Sequence, residues 1–161
     1  MTESDDARRA LELAYRALGA GERTEHELRL FLAKRRVESA HIAAAVEEMA
    51  TIGLLDDAGY AKRFAQDRRL LDQWGSERIG RDLARRGVQR ELIEGALAGV
   101  GQAEELATAV DLLNRRFPMP LADDRDRDRA WRLLVRRGYE AEVAYTAVRA
   151  HERGAVGRAA A

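Results

Sequence analysis

The chain has 161 residues, 46% of them hydrophobic and 35% charged, and its 28 basic and 28 acidic side chains give a formal net charge of zero. That length suffices for one domain or a row of small modules, and the even balance argues against gross nucleic-acid affinity of the whole body. Cysteine is absent, which excludes disulfide frameworks, thiolate metal sites and cysteine nucleophiles.

The first ten residues, MTESDDARRA, are acidic and polar, unlike a signal peptide, and no apolar run approaches the ~18 residues of a membrane span. The cytoplasm is the expected compartment. Leu11, Ala14 and Leu18 mark a first helix. Thr24-Glu25-His26-Glu27 is a capping box ahead of a second, whose apolar face carries Leu28 and Leu32. Ile42, Val46 and Met49 follow i, i+4, i+7 and predict a third helix, which Gly53 closes. Asp56 and Asp57 suit the start of a fourth, where acidic groups favour the positive helix end. Tyr60, Phe64 and Leu71 form its inner face, and Trp74 lies at the turn that follows. Gly75-Ser76 opens a fifth helix with Ile79 and Leu83 inward. Ile93, Leu97 and Val100 predict a sixth.

Leu106, Val110, Leu113 and Phe117 mark the seventh helix, which the Phe117-Pro118-Met119-Pro120 segment must end. The DDRDRDR run after it reads as a polar link into the eighth helix, which buries Ala130 and Leu134. Ala144, Val148 and His151 give a weaker last stripe, and the tail ERGAVGRAAA is expected to fray. Nothing alternates at period two, so the chain reads as all-α.

The middle and last helices form a segment that occurs three times at a spacing of 51 residues, beginning at Leu28, Ile79 and Ala130. Leu32, Leu83 and Leu134 coincide. So do Arg35, Arg86 and Arg137, then Val37, Val88 and Tyr139, then Val46, Leu97 and Val148. A fixed period of this size means one supersecondary unit used repeatedly. The expected organisation is three tandem three-helix modules over residues 7–53, 54–101 and 102–153. Gly87 and Gly138 sit between middle and last helices, where a left-handed turn needs a residue without Cβ. Arg36 occupies that place in the first copy, so its turn is expected to be strained or differently built.

Catalysis finds little support. His26, His41 and His151 lie in different helices and form no i, i+4 ligand pair; surface or capping roles fit His41 and His151. Ser4, Ser39 and Ser76 are the only serines, and none lies in a G-x-S-x-G elbow. Gly99-Val100-Gly101 lacks the strand that a dinucleotide loop requires. No enzymatic activity, metal or cofactor is expected.

Charge is uneven along the chain. Residues 62–90 carry nine basic and four acidic side chains, a local +5, against eight basic and ten acidic in residues 1–54. Almost all the cations are arginine, which suits bidentate contacts to carboxylate or phosphate. Arg78, Arg81 and Arg85 run i, i+3, i+7 along the fifth helix. Arg85-Arg86 and Arg136-Arg137 repeat at helix ends, where cations also offset the helix dipole. Arg68, Arg69, Arg78 and Arg81 read as belonging to the second module alone. The candidate partner-binding set is therefore Arg68, Arg69, Arg78, Arg81, Arg85, Arg86, Arg136 and Arg137. Two alternatives stand beside a protein partner of this kind: a helix-turn-helix DNA-binding module, since two helices joined by a glycine turn share that topology, and a helical scaffold for some other protein.

One stretch is more specific. Gly53-Leu54-Leu55-Asp56-Asp57-x-x-Tyr60-Ala61-x-x-Phe64, then Arg68, then Gly75-x-x-Arg78-Ile79-x-x-x-Leu83-x-x-x-Gly87-Val88, then Ile93 and Ala96-Leu97, resembles the RecX regulatory proteins of bacteria. The match is strongest over residues 53–97, and the repeat extends it across 7–151. The resemblance implies three tandem three-helix modules in an elongated, curved array. A monomer is expected, and the resemblance also implies a protein, not an enzyme, that binds the groove of the RecA filament on single-stranded DNA, with arginines of the second and third modules expected to meet acidic RecA surface or the DNA phosphates. There it would suppress filament growth, ATP hydrolysis and strand exchange, damping recombination and the SOS response. Arg36 in place of a glycine and the Phe117–Pro120 interruption depart from the pattern.

Overall fold

The computed structural model describes residues 3–159, and these form nine α-helices and no strand. In chain order they are α1 (Glu3–Gly19), α2 (Glu25–Lys34), α3 (Ser39–Thr51), α4 (Asp57–Asp72), α5 (Ser76–Arg85), α6 (Arg90–Leu97), α7 (Gln102–Arg116), α8 (Asp124–Arg137) and α9 (Ala141–Ala159). The all-α repeat architecture follows from the periodicity. Leu28, Ile79 and Ala130 are each fully buried, as are Leu32, Leu83 and Leu134. Each of the five leucine and isoleucine side chains among them contributes roughly 1.5–3 kcal/mol by leaving water.

The chain divides into two compact units. One holds the chain as far as Arg63 together with Asp82–Ala96; the other holds Phe64–Arg81 together with the chain from Leu97 onward. In the first unit α1, α2 and α3 pack on one another around Ala10, Ala14, Ala17, Leu28, Leu32, Val46 and Met49. Three small alanines on α1 let its backbone approach α3 closely. In the second unit α7 and α8 pack on α9 around Leu112, Leu113, Leu134, Tyr139, Val143 and Val148.

Local chemistry fixes the helix ends. The Glu27 N–H donates to Thr24 Oγ1 and the Thr24 N–H donates to Glu27 Oε2, both at 3.1 Å, completing the capping box. α7 stops at Phe117, because Pro118 has no N–H to continue it. Gly53, Gly87 and Gly138 are all left-handed, with φ of 78°, 79° and 92°. Arg36 takes the same turn conformation at φ 60°, so the first turn is the strained one.

Several expectations are corrected. The DDRDRDR run is not a link: α8 begins at Asp124, with Asp123 accepting from the Asp126 N–H at 2.9 Å. Its alternating charges fall at helical pairing distances, Arg127 on Asp124, Arg129 on Asp126 and Arg132 on Asp128, so a run without an apolar face still supports a helix. Leu71 is 78% exposed rather than core, because α4 has passed its packed stretch by that point. α6 ends at Leu97, short of Val100, and its buried residue is Ala96; Gly95 and Gly99 weaken it. His151 is buried in the middle of α9, its Nδ1 2.8 Å from Asn114 Oδ1, not at a surface or cap. The expected frayed tail is helical through Ala159, and its last two residues lie outside the described ones.

Candidate functional site

The arginines chosen from sequence divide into those that build the fold and those that face outward. The first group is explained by a joint that occurs once in each compact unit. In the first unit the start of α2 sits on the turn after α5. The Thr24 hydroxyl donates to the Arg86 carbonyl at 2.6 Å, and the Arg86 guanidinium meets Glu27 at 3.0 Å. A Cβ on Gly87 would lie 2.2 Å from His26 Cβ, so only glycine lets the two segments approach. Asp57 completes the joint by accepting from the Glu25 N–H at 2.9 Å. Thus Asp57, in the first turn of α4, satisfies an orphan donor of α2. Burial pushes its carboxyl above the ordinary value, although that hydrogen bond pulls the other way. Tyr60 is likewise pushed up by burial, opposed by Arg86.

In the second unit the start of α5 sits on the turn after α8. The Gly75 N–H donates to the Arg137 carbonyl at 2.8 Å, and the Glu77 N–H to the Gly138 carbonyl at 3.0 Å. These positions lie 51 residues beyond Thr24, His26, Arg86 and Gly87. Here glycine replaces threonine and backbone replaces side chain, because the segments are closer: a Cβ on Gly75 would lie 2.4 Å from the Gly138 carbonyl carbon. Arg137 donates to the Asp72 carbonyl, and the Tyr139 hydroxyl to the Gln73 carbonyl at 2.8 Å. These two bonds hold the α4–α5 turn, in which Gln73 has φ 52°. Burial, and then the Glu105 carboxylate, push the Tyr139 hydroxyl well above its ordinary pKa.

Trp74 lies between two guanidiniums. Arg78 is 3.9 Å from its ring centre and Arg68 5.3 Å; Arg68 also faces Phe64 at 5.2 Å and pairs with Asp72 at 2.6 Å. Arg69 donates to Ser76 Oγ at 3.2 Å, and burial lowers its pKa. The Ser76 N–H in turn donates to Glu105 at 2.6 Å.

Of the eight candidates, Arg68, Arg69, Arg78, Arg86 and Arg137 are therefore engaged inside their own units. Arg81, Arg85 and Arg136 are exposed, with Arg85 paired to Asp82 on its own helix. Arg136 lines a cleft of about 500 Å³ with Arg115, Arg116, Arg129 and Arg132, none of which was selected from sequence. The signal was present: Arg129, Arg132 and Arg136 lie 51 residues beyond Arg78, Arg81 and Arg85. The arginine run is therefore not peculiar to the second module. Among the described residues no group of three or more His, Asp or Glu could hold a metal, and no helix is long and apolar enough to cross a membrane.

Comparison with known proteins agrees with this architecture. A family model described as the second three-helix domain of RecX matches residues 56–97. The chain is 35% identical over 149 residues to the regulatory protein RecX of Mycolicibacterium vanbaalenii, covering 88% of this chain and 81% of the relative. It is 34% identical to that of Deinococcus radiodurans, covering 92% and 71%. The crystal structure of RecX from Lactobacillus salivarius superposes with a TM-score of 0.83 at 18% identity, covering 92% of this chain and 98% of that one. With identity of this level across most of both chains and the same fold, the chain belongs to the RecX family of regulatory proteins.

Proposed function

We propose that the protein is a negative regulator of the RecA recombinase. It binds in the groove of the RecA filament and inhibits filament extension, ATP hydrolysis and strand exchange, modulating DNA repair and the SOS response. It acts by binding, without catalysis of its own, in the cytoplasm and as a monomer. The observation that carries this reading is the family membership across most of the chain.

The physical chemistry is compatible with that role. A filament is a polymer of identical protomers, so repeated modules meet repeated surfaces. Contacts that are weak singly gain from effective concentration once the first has formed. The outward arginines Arg81, Arg85 and Arg136 supply charge for an acidic surface, and arginine holds carboxylate in a bidentate fork.

The test is a RecA ATPase assay on single-stranded DNA with this protein added in sub-stoichiometric amounts. Inhibition is expected well below one molecule per RecA protomer, since blocking filament extension affects every protomer that would have joined later. An unchanged ATPase rate with RecA from the same bacterium would defeat the reading.

A further inference from the structure

We propose that the cleft between the end of α7 and α8 binds the phosphodiester backbone of single-stranded nucleic acid. Arg115, Arg116, Arg129, Arg132 and Arg136 face it, and Asp128 is its one carboxylate, a formal +4 around a space of about 500 Å³. The whole cleft lies within the second compact unit. Arg129, Arg132 and Arg136 share one face of α8 at i, i+3, i+7. Arg115 and Arg116 occupy the last turn of α7, and Pro118 turns the chain away directly after them.

Helix-end neutralisation accounts for part of this set. Arg115, Arg116 and Arg136 sit in last turns, where cations meet the negative end of the dipole. It does not account for Arg129 and Arg132 in the middle of α8. Those two pair with Asp126 at 3.4 Å and Asp128 at 3.0 Å, and all five arginines are exposed. Gathering five cations around one space costs free energy through repulsion, and a bound polyanion removes that cost.

Geometry favours a strand of phosphodiester over an isolated protein carboxylate, because successive phosphates along a strand can be met by successive turns of α8. The other flank of α8 carries aromatic faces. Trp131 and Tyr145 line a second cleft of about 730 Å³, with the Arg149 guanidinium 5.8 Å from the Tyr145 ring centre. Asp128 borders both clefts. A basic groove beside aromatic faces is the combination that single strands use, since their unpaired bases can stack. A duplex hides those faces.

The proposal needs no recombinase, so it is tested on the protein alone. Binding of a fluorescein-labelled oligothymidylate is followed by fluorescence anisotropy over a series of salt concentrations. The variant Arg115→Gln/Arg116→Gln/Arg136→Gln is expected to bind at least about tenfold more weakly, with the salt slope reduced by about 2, near 0.7 for each lost phosphate contact. Lysine at the same three positions should keep the slope. A control, Arg8→Gln/Arg29→Gln/Arg90→Gln, removes exposed arginines of the other unit and should bind like the unmodified protein. If the glutamine triple melts early by circular dichroism, Arg116→Gln alone carries the test, with a slope reduced by about 0.7. No binding by the unmodified protein would overturn the proposal, as would equal losses in control and triple. So would a triple that binds the oligonucleotide normally yet no longer inhibits RecA, which would give the cleft to a protein partner. Cleft-dependent binding with no effect on RecA would uphold this proposal and defeat the RecA reading.

Discussion

The Thr24 hydroxyl donates to the Arg86 carbonyl oxygen at 2.6 Å across 62 residues of chain. The Thr24 hydroxyl oxygen itself accepts from the Glu27 N–H at 3.1 Å, so one side chain caps α2 and ties it to the end of α5. The carbonyl at this repeat position always finds a donor. Arg137 O takes the Gly75 N–H at 2.8 Å, and Arg35 O takes the Arg9 guanidinium at 3.3 Å. The C-terminal carbonyls of a helix lack intrahelical partners, so a donor from elsewhere serves as a cap and a docking contact together.

Thr24→Val tests that double role. The replacement keeps shape but removes the cap and leaves the Arg86 carbonyl without its hydroxyl donor. A loss of about 1–3 kcal/mol in urea-denaturation stability is expected, from the cap and from the carbonyl together. Thr24→Ser, which keeps the hydroxyl, should cost less than about 1 kcal/mol. Equal stability of the valine variant and the unmodified protein would show that neither bond contributes.

The turn residues give a pair of substitutions of opposite sign. Gly87 and Gly138 combine positive φ with neighbours 2.2 Å from any added Cβ, His26 in one case and Arg78 in the other. Gly138→Ala should cost more than the ~1–2 kcal/mol of a left-handed alanine alone. Arg36 has the same φ sign without a glycine, and its turn is met by the long side chain of Arg9 instead of a helix start. Arg36→Gly should therefore raise stability by up to about 1 kcal/mol, the left-handed strain being offset in part by glycine's unfolded-state entropy. Melting temperatures of the two variants should move in opposite directions.

The repeat made the apolar framework legible, since Leu28, Leu32, Ile79 and Leu83 carry a pattern that only a packed helix face explains. The Thr24 cap and the Arg36 strain were also readable, because both are local. What stayed hidden was non-local or lacked an apolar signal. The helix over DRDRDR rests on paired charges. His151 is buried because Asn114, 37 residues earlier, hydrogen-bonds its ring. Arg86 and Arg137 look like ordinary helix-end cations until the segments they dock against are seen. The cleft arginines of α8 were obscured for a different reason: their spacing copies α5, but Arg78 is occupied by Trp74 whereas Arg129 faces the cleft.

Tyr139 should give the fold an alkaline limit. Its folded pKa is raised above the ordinary 10.0 by burial. The unfolded chain therefore ionises first, so the stabilisation is fully present below about pH 10 and is lost as pH rises toward the folded value. Each such group steepens the fall by at most ~1.4 kcal/mol per pH unit. Tyr60 is raised in the same direction and shares the effect. Tyr139→Phe should lower stability at neutral pH by about 1–2 kcal/mol, through loss of its bond to the Gln73 carbonyl. It should also flatten the decline above pH 10. An unaltered alkaline slope in the variant would place the titrating group elsewhere.

Outward and inward arginines should separate cleanly in the RecA assay. Arg81 and Arg85 are exposed, and Arg85 pairs only with its neighbour Asp82 by the bonds described. Arg81→Glu/Arg85→Glu should leave helicity and melting temperature nearly unchanged. If α5 faces an acidic surface of the filament, the concentration for half-inhibition should rise roughly tenfold, equivalent to ~1.4 kcal/mol. Arg68→Glu is the contrasting case. It breaks the 2.6 Å pair with Asp72 and removes the cation from Phe64 and Trp74, so stability itself should fall. Unchanged inhibition by the Arg81/Arg85 variant would remove α5 from the interface. Inhibition lost in proportion to unfolding would show only that the scaffold is needed. The informative result is loss of inhibition at full stability, because exposed side chains whose replacement leaves the fold intact can lose function only through a partner.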